Sequence, residues 1–243
     1  VRTTVVIPTY DEAGNIADLL RLVREHLPAA HVIVVDDESP DGTAAVAQQV
    51  ADELGQIEVL HRQGKQGLGA AYRAGFARAL EHGSQICVQM DADLSHDPAV
   101  LPALVSVVEH GADAAIGSRY VPGGVIEDWP RLRRWLSRWG NRYAAGMLGL
   151  AVNDATSGYR AYSGSALERL GYESVTAEGY GFQVEMTHRL VRCGGRIVEI
   201  PITFRDRMRG ESKLTHHIIS EAFGLVNRLW WNDRVRRRRH RTG

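Results

Sequence analysis

Apolar positions along this chain fall into short continuous runs separated by longer stretches at helical spacing. Val5-Val6-Ile7-Pro8 and Val32-Ile33-Val34-Val35 are apolar runs bounded by turn-forming residues, the pattern of strands buried on both faces. Weaker runs cover Ile57 to Leu60, Gln85 to Met90 after a Gly83-Ser84 turn, and Ala112 to Gly117. Between them, Ile16, Leu19, Leu20 and Val23 share one face of a helix predicted over Ile16 to His26. Further helices are predicted from Thr43 to Leu54, from Gly69 through Leu80, and from Ala99 to Glu109. The last of these is opened by Asp97 at the N-cap and Pro98 at the first helical position. Strands alternating with helices at this spacing predict an α/β fold with a mostly parallel, Rossmann-like, doubly wound sheet flanked by helices.

The pattern changes after residue 128. All five tryptophans fall in two segments, Trp129, Trp135 and Trp139 in one and Trp230 and Trp231 in the other. Leu132, Trp135, Leu136, Trp139 and Tyr143 form one helical stripe, with Arg133, Arg134, Arg138 and Arg142 on other faces. The second segment, Ile218 to Trp231, runs into Arg234, Arg236, Arg237, Arg238, Arg239 and Arg241. An aromatic face bordered by Arg suits a helix lying at headgroup level. Such a basic cluster gains about 1 kcal/mol per residue near an anionic surface. Two ordinary amphipathic helices packed on the sheet would show the same periodicity; the pairing of Trp with Arg weighs towards the membrane surface. A spanning helix needs about 20 predominantly apolar residues. Tyr143 to Val152 comes nearest, and it is shorter and broken by Gly.

Composition narrows the field modestly. With 243 residues and 44% hydrophobic content the chain can bury one sizeable core, with little room for a second. Lys plus Arg and Asp plus Glu both number 29, so net charge points to no partner. Cys87 and Cys193 are the two cysteines, which excludes a disulfide framework or a zinc site on paired Cys and suits a reducing compartment. No leader is read ahead of Thr3. A GxxxxGK[ST] phosphate loop is absent, and Gly64, Gly67 and Gly69 lack the dinucleotide GxGxxG context. That glycine cluster serves equally well as a close backbone approach to a ligand or as a loop leading into a helix.

The chemistry concentrates at strand ends. The run Gln85 to Met90 closes on Asp91-Ala92-Asp93, two carboxylates separated by one residue, where open α/β sheets bind ligands. Two such groups are expensive to hold together without a cation. A hard divalent ion bridging a diphosphate is the natural solution, since Asp97 already caps the next helix. The first two strands close on Tyr10 and Glu12 and on Asp36 and Asp37, and a parallel sheet would set these tips beside Asp91 and Asp93. Acceptors with an aromatic suit a base and ribose. Asp41-Gly42 is a turn, and Asp37 is the better ligand. His96, between Ser95 and Asp97, is no triad member, because neighbours in sequence do not converge in that way. The histidines show no metal-binding spacing, and His216-His217 is expected to start a helix.

These residues stand in stretches that resemble a known family. Val6-Ile7-Pro8-Thr9-Tyr10-Asp11-Glu12, Val34-Val35-Asp36-Asp37-Glu38-Ser39-Pro40-Asp41-Gly42-Thr43, Gly67-Leu68-Gly69-Ala70-Ala71-Tyr72, Met90 to His96 and Gly117-Ser118-Arg119-Tyr120-Val121-Pro122-Gly123-Gly124 resemble family 2 glycosyltransferases of the GT-A fold. Asp154 to Arg160 and Phe204 to Leu214 narrow the resemblance to polyprenol-phosphate (dolichol-phosphate) mannose synthases. The stretches run in order over residues 3 to 230.

The resemblance implies transfer of mannose from GDP-mannose to a polyprenyl (dolichyl) monophosphate, with inversion, using Mg or Mn. It implies that Pro8, Tyr10, Glu12, Val35 and Asp37 line the nucleoside pocket. Asp91, Ala92 and Asp93 would hold the ribose-diphosphate, with Asp91 and Asp93 on the metal. Ser95 stands where some members carry Gln, and a water is expected between it and the metal. Arg119, Arg207 and Lys213 would contact phosphates; Asp91, Asp93, Arg119 and Arg207 form the catalytic set, with Arg133 and Ser137 on the acceptor side. The physics agrees, since a metal and Arg forks stabilise charge growing on a leaving diphosphate. An acceptor phosphate with a second pKa near about 6 is already anionic and needs placement more than a base.

The expected organisation is a single GT-A catalytic domain over 1–231, with interfacial helices around 131–148 and 214–231 and a basic tail at 232–243. The expected location is peripheral, on the cytoplasmic side of the membrane, bound directly, through a separate anchoring protein, or as part of a longer chain. Two rival readings stand: a UDP-glucose-dependent transferase, and a non-catalytic nucleotide- or RNA-binding module. RNA readers place aromatics and basic residues on a sheet face. Here they sit on helices, and an acidic strand tip has no role there, so no nucleic acid is expected.

Overall fold

A computed structural model describes residues 1–206 and 216–239, with the side chains of the last helix described from 223 to 235. The chain runs β1 (Thr3–Thr9), α1 (Ile16–His26), β2 (His31–Asp36), α2 (Thr43–Leu54), β3 (Ile57–His61), α3 (Leu68–Glu81) and β4 (Ile86–Gln89). It continues through α4 (Leu101–Glu109), β5 (Ala114–Ser118), β6 (Val125–Ile126), α5 (Arg131–Leu148), β7 (Arg160–Ser163), α6 (Gly164–Leu170) and α7 (Gly179–Arg192). β8 (Ile197–Pro201), β9 (Thr203–Phe204) and α8 (His216–Arg239) complete it. Seven strands form one sheet in the order β3-β2-β1-β4-β7-β5-β8, and β6 pairs with β9 apart from it. β7 is antiparallel to both neighbours; the other neighbours in the large sheet are parallel.

The period of two in the strands sorts the core into layers. Val5, Ile7, Val34 and Val88 face α1, α2 and α4, joining Leu19, Leu20, Val50 and Leu104 in one cluster. Val6, Ile33, Val35 and Cys87 face α3, α6 and α7, joining Tyr72, Phe76, Leu167, Phe182 and Met186. Helix α3 lies close enough on β1 that a Cβ at Gly75 would meet Val6 Cγ1 at 2.2 Å. A third cluster, with Ala144, Leu148, Val184 and Val226, seats α5 and α8 beside α7.

Several expectations shift. Pro98 to Val100 form a short 3₁₀ turn capped by Asp97, which accepts from Ala99 N at 2.9 Å, and α4 starts at Leu101. β5 starts at Ala114 because Asp113 is held by Arg169 and by the Arg196 amide. α8 begins at His216 as read, but it runs unbroken to Arg239, so residues 232–239 are helical. No described helix is long and apolar enough to cross a membrane.

Candidate active site

The order β2-β1-β4 brings three strand tips to one edge, and the loops after them open a cleft of about 770 Å3. Pro8, Tyr10, Glu12, Asp37, Asp91, Ala92, Asp93, Ser95 and Arg119 all line it. Each tip is followed by a non-glycine residue in the left-handed region: Asp11 at φ 61°, Glu38 at φ 57° and Leu94 at φ 59°. Such conformations cost free energy and persist where surrounding contacts hold them.

Those contacts explain which acids are scaffold. Asp36 is buried and accepts from Ser39 N, Ser39 Oγ and Thr9 Oγ1. Asp41 accepts from Ala13 N and Thr43 N, while Glu12 N donates to Thr43 Oγ1 at 2.9 Å. Asp36 and Asp41 thus tie the first two loops together. Asp37 instead faces the cleft, paired with Arg62 at 2.9 Å and accepting from Gln66 N.

Val35 is a correction. Its side chain is fully buried among Val6, Ile33 and Tyr72, since alternation along β2 turns it to the α3 side of the sheet. It is absent from the cleft wall.

The acidic pair is oriented from both flanks. Tyr72 Oη donates to Asp91 Oδ1 at 2.7 Å. Burial, then the nearby Asp91 charge, pushes the Tyr72 phenol well above its ordinary range, so it stays a donor. Ser95 donates to Asp93 Oδ1 through its amide at 3.1 Å and its hydroxyl at 2.5 Å. The serine therefore positions Asp93. Across the cleft, a Cβ at Gly158 would lie 3.0 Å from Asp91 Oδ2, so the missing side chain leaves room against the carboxylate. Oxygen donors in an open cradle fit a hard divalent cation such as Mg or Mn. His96 is buried with its ring stacked on Tyr159 at 4.9 Å, and burial holds its pKa below the usual value, in keeping with a packing role.

Arg119 reaches the cleft wall, but its fork is engaged. Nε and Nη2 donate to the two oxygens of Asp154 at 2.7 Å each, and Nη2 also donates to Thr156 Oγ1 at 2.9 Å. Arg119 therefore stands on the cleft wall as one half of a buried ion pair. Arg160, 1% exposed, donates to the carbonyls of Ala155, Ser157 and Gln183 and to Thr187 Oγ1, fixing the 154–159 loop on α7. Arg133 lines the cleft, pairs with Asp206 at 3.0 Å and stacks over Trp129 at 4.0 Å. Ser137 accepts from Tyr120 Oη and is not on the cleft wall. Arg207 and Lys213 lie outside the described residues.

Sequence reasoning missed three wall elements. Lys65 sits 3.7 Å over the Tyr10 ring. Glu178 accepts from Gly69 N at 2.7 Å, and a Cβ at Gly67 would lie 2.5 Å from its Oε2, so the glycines pack on this loop. Arg228 of α8 joins the rim. Lys65 lay inside the glycine cluster that drew notice; Glu178 and Arg228 carry no local signal. Trp129, ahead of the aromatic stripe, is buried edge-on to Phe204 at 5.4 Å and lines the cleft.

A seven-stranded sheet with helices on both faces and an acidic strand tip facing a nucleotide-sized cleft defines a nucleotide-sugar transferase fold of the GT-A type. The sequence matches the family described as Glycosyl transferase family 2 over residues 4–171, and the chain belongs to that family. It is 45% identical over 242 residues to the polyprenol monophosphomannose synthase of Mycolicibacterium smegmatis, covering 97% of this chain and 90% of that one. It is 47% identical over 231 residues to the undecaprenyl-phosphate mannosyltransferase of Micrococcus luteus, covering 95% and 94%. The mannosyltransferase of Pyrobaculum calidifontis in complex with GDP-Man and Mn2+ has the same fold, with a TM-score of 0.62 at 19% identity, covering 97% of this chain and 64% of that one.

Proposed function

We propose that this chain transfers mannose from GDP-mannose to a polyprenyl monophosphate, with inversion, at the membrane surface. One observation carries the reading: a single helix joins the cleft to an exposed apolar, aromatic surface. α5 sends Arg133 into the cleft wall, while Leu132, Trp135, Leu136 and Trp139 stand exposed on it, the first 68% and the second 61% accessible. A soluble sugar nucleotide and a lipid-borne acceptor meet where such a helix borders the site. The named activities of the two relatives support mannose and a polyprenyl acceptor.

In this reading Tyr10, Glu12 and Asp37 hold the nucleoside, with the Tyr10 ring as a stacking face and Lys65 above it. Asp91 and Asp93 hold Mg or Mn, which when bound neutralises charge growing on the leaving diphosphate. Tyr72 and Ser95 keep those carboxylates in place. Arg119, held in place on the cleft wall by Asp154, together with Arg207 and Lys213 supplies phosphate contacts. Arg133 receives the acceptor phosphate in exchange for Asp206. The acceptor is already anionic near neutral pH and needs alignment more than deprotonation. Residues 1–231 act as one catalytic domain, peripheral on the cytoplasmic side.

The test is an assay of the purified chain with polyprenyl phosphate vesicles and either GDP-mannose or UDP-glucose, with Mg, Mn or chelator. Metal-dependent formation of mannosyl lipid from GDP-mannose alone is expected. Transfer from UDP-glucose in its place would overturn the donor assignment, and nucleotide binding without transfer to lipid would overturn the acceptor.

A further inference from the structure

Outside the cleft, α5 borders a second recess of about 310 Å3, whose wall includes Tyr120, Arg138, Asn141, Arg142 and Asn153. Helical geometry fixes where it opens. Asn141, Ala144 and Leu148 form the buried face of α5, and Leu132, Trp135, Leu136 and Trp139 the exposed apolar face. At 3.6 residues per turn, Arg138 and Arg142 project between those faces. The recess therefore runs along the edge of the aromatic stripe, in which Trp135, Trp139 and Tyr143 stack at 6.5 and 5.7 Å.

The charge around it is unbalanced. α5 carries Arg131, Arg133, Arg134, Arg138 and Arg142 without an Asp or Glu. Arg133 is paired with Asp206, and Arg134 donates to the Ile126 carbonyl. Arg138 and Arg142 form no ion pair among the described residues, although like charges one turn apart repel. The acid that reaches this rim, Glu199, has both oxygens engaged by the Asn153 side chain and the Asn153 and Asp154 amides. The remaining wall is fixed: Tyr120 Oη donates to Ser137 Oγ at 2.7 Å, and Asn141 Nδ2 to Thr156 Oγ1 at 3.0 Å.

We propose that this recess binds the phosphate of an anionic phospholipid headgroup, a lipid other than the acceptor. The inference rests on the membrane reading of α5. A Trp stripe settles at headgroup level, which sets the adjacent recess at the depth of the phosphates. Two guanidinium forks match phosphate oxygens there and offset the Arg138–Arg142 repulsion. Tyr120 ties this site to the cleft, since its ring lies 5.4 Å from both the Arg119 and the Arg138 guanidinium carbons. A lipid clasped here fixes how α5 sits in the interface and so where the cleft mouth meets its acceptor.

The test is flotation of the full chain with phosphatidylcholine vesicles, with and without phosphatidylglycerol. Wild type is expected to prefer the anionic vesicles. Arg138→Gln with Arg142→Gln is expected to lose about fivefold of that preference per arginine, while binding to neutral vesicles and affinity for GDP-mannose stay unchanged. Arg138→Lys with Arg142→Lys keeps the charge but lacks the planar fork, and is expected to recover only part of the loss. Retained preference in the Gln variant, or full recovery with Lys, would overturn the proposal. So would saturable binding of free glycerol phosphate without vesicles that the Gln variant abolishes, because the site would then serve a soluble anion. A separate variant, Trp135→Ala with Trp139→Ala, tells the two readings apart. If it floats like wild type, the membrane reading itself fails; if it is weakened while the Gln variant is not, only the headgroup site fails.

Discussion

Asp154 holds Arg119 by both edges of its guanidinium, at 2.7 Å on each side, and takes the Arg119 backbone amide at 3.0 Å as well. Both side chains are almost wholly buried, at 5% and 0% exposure. Removing one partner leaves a buried charge uncompensated, so Asp154→Ala is expected to lose about 3–5 kcal/mol of stability. The double change Arg119→Met with Asp154→Leu should recover most of that. Burial raises the Asp154 pKa, and Arg119 with its hydrogen bonds more than offsets this, leaving it below the ordinary value. A folded pKa below the unfolded one gives stability that is present above about pH 4 and lost as pH falls through the folded value. Urea unfolding as a function of pH checks it: wild type should lose stability on acidification below about pH 4, and the double variant should lose less.

Asp93 sits at the strand tip, accepting from Ser95 N and Oγ, and its carboxylate faces the cleft beside Asp91. Asp93→Ala is expected to keep its thermal midpoint within a few degrees while transfer falls by about 10²–10³-fold and divalent activation disappears. Normal turnover by the variant in the presence of chelator would remove Asp93 from the metal assignment.

Tyr72 packs between Phe76 and Phe182, both rings centred 5.9 Å away, and its hydroxyl reaches Asp91. Tyr72→Phe keeps that packing and deletes one donor. The expected loss in kcat/KM is about ten- to hundredfold, equivalent to roughly 1.5–3 kcal/mol for a hydrogen bond to a charged group. Metal-free nucleotide affinity should not change. Equal losses in both quantities would assign Tyr72 a general packing role.

Much of this was readable because β1, β2 and β4 carry their own apolar runs and end in polar tips, so hydrophobic pattern and chemistry coincide. β7 escaped because Arg160-Ala161-Tyr162-Ser163 has no apolar run. Its burial depends on partners that α7 and the 154–159 loop supply to Arg160, a tertiary arrangement no local pattern encodes. Val35 entered the nucleoside set through the resemblance alone. A strand buried on both faces gives no alternation by which the sequence could say which side its side chain takes. The Arg119–Asp154 lock joins residues 35 positions apart, and spacing alone could not separate a phosphate ligand from a buried pair. Trp129, close in sequence to Trp135 and Trp139, lies before the helix begins and turns inward to Phe204.

Gly158 offers the sharpest separation of function from stability. Its φ is outside the left-handed region, so alanine meets no backbone obstacle there. What alanine meets is Asp91, with the new Cβ 3.0 Å from Oδ2 and 3.5 Å from Cγ. Replacing glycine where the backbone is compatible favours the folded state by about 0.4–1 kcal/mol through the unfolded chain, offsetting part of that local crowding. Gly158→Ala is therefore expected to change stability by less than about 1 kcal/mol. The crowding falls on the carboxylate that the proposed cation needs, so half-maximal activation should require about tenfold more Mn or Mg. Calorimetric titration with GDP and Mn, paired with thermal unfolding, reads both quantities. An unaltered metal requirement would mean that the space beside Asp91 is not where the cation sits.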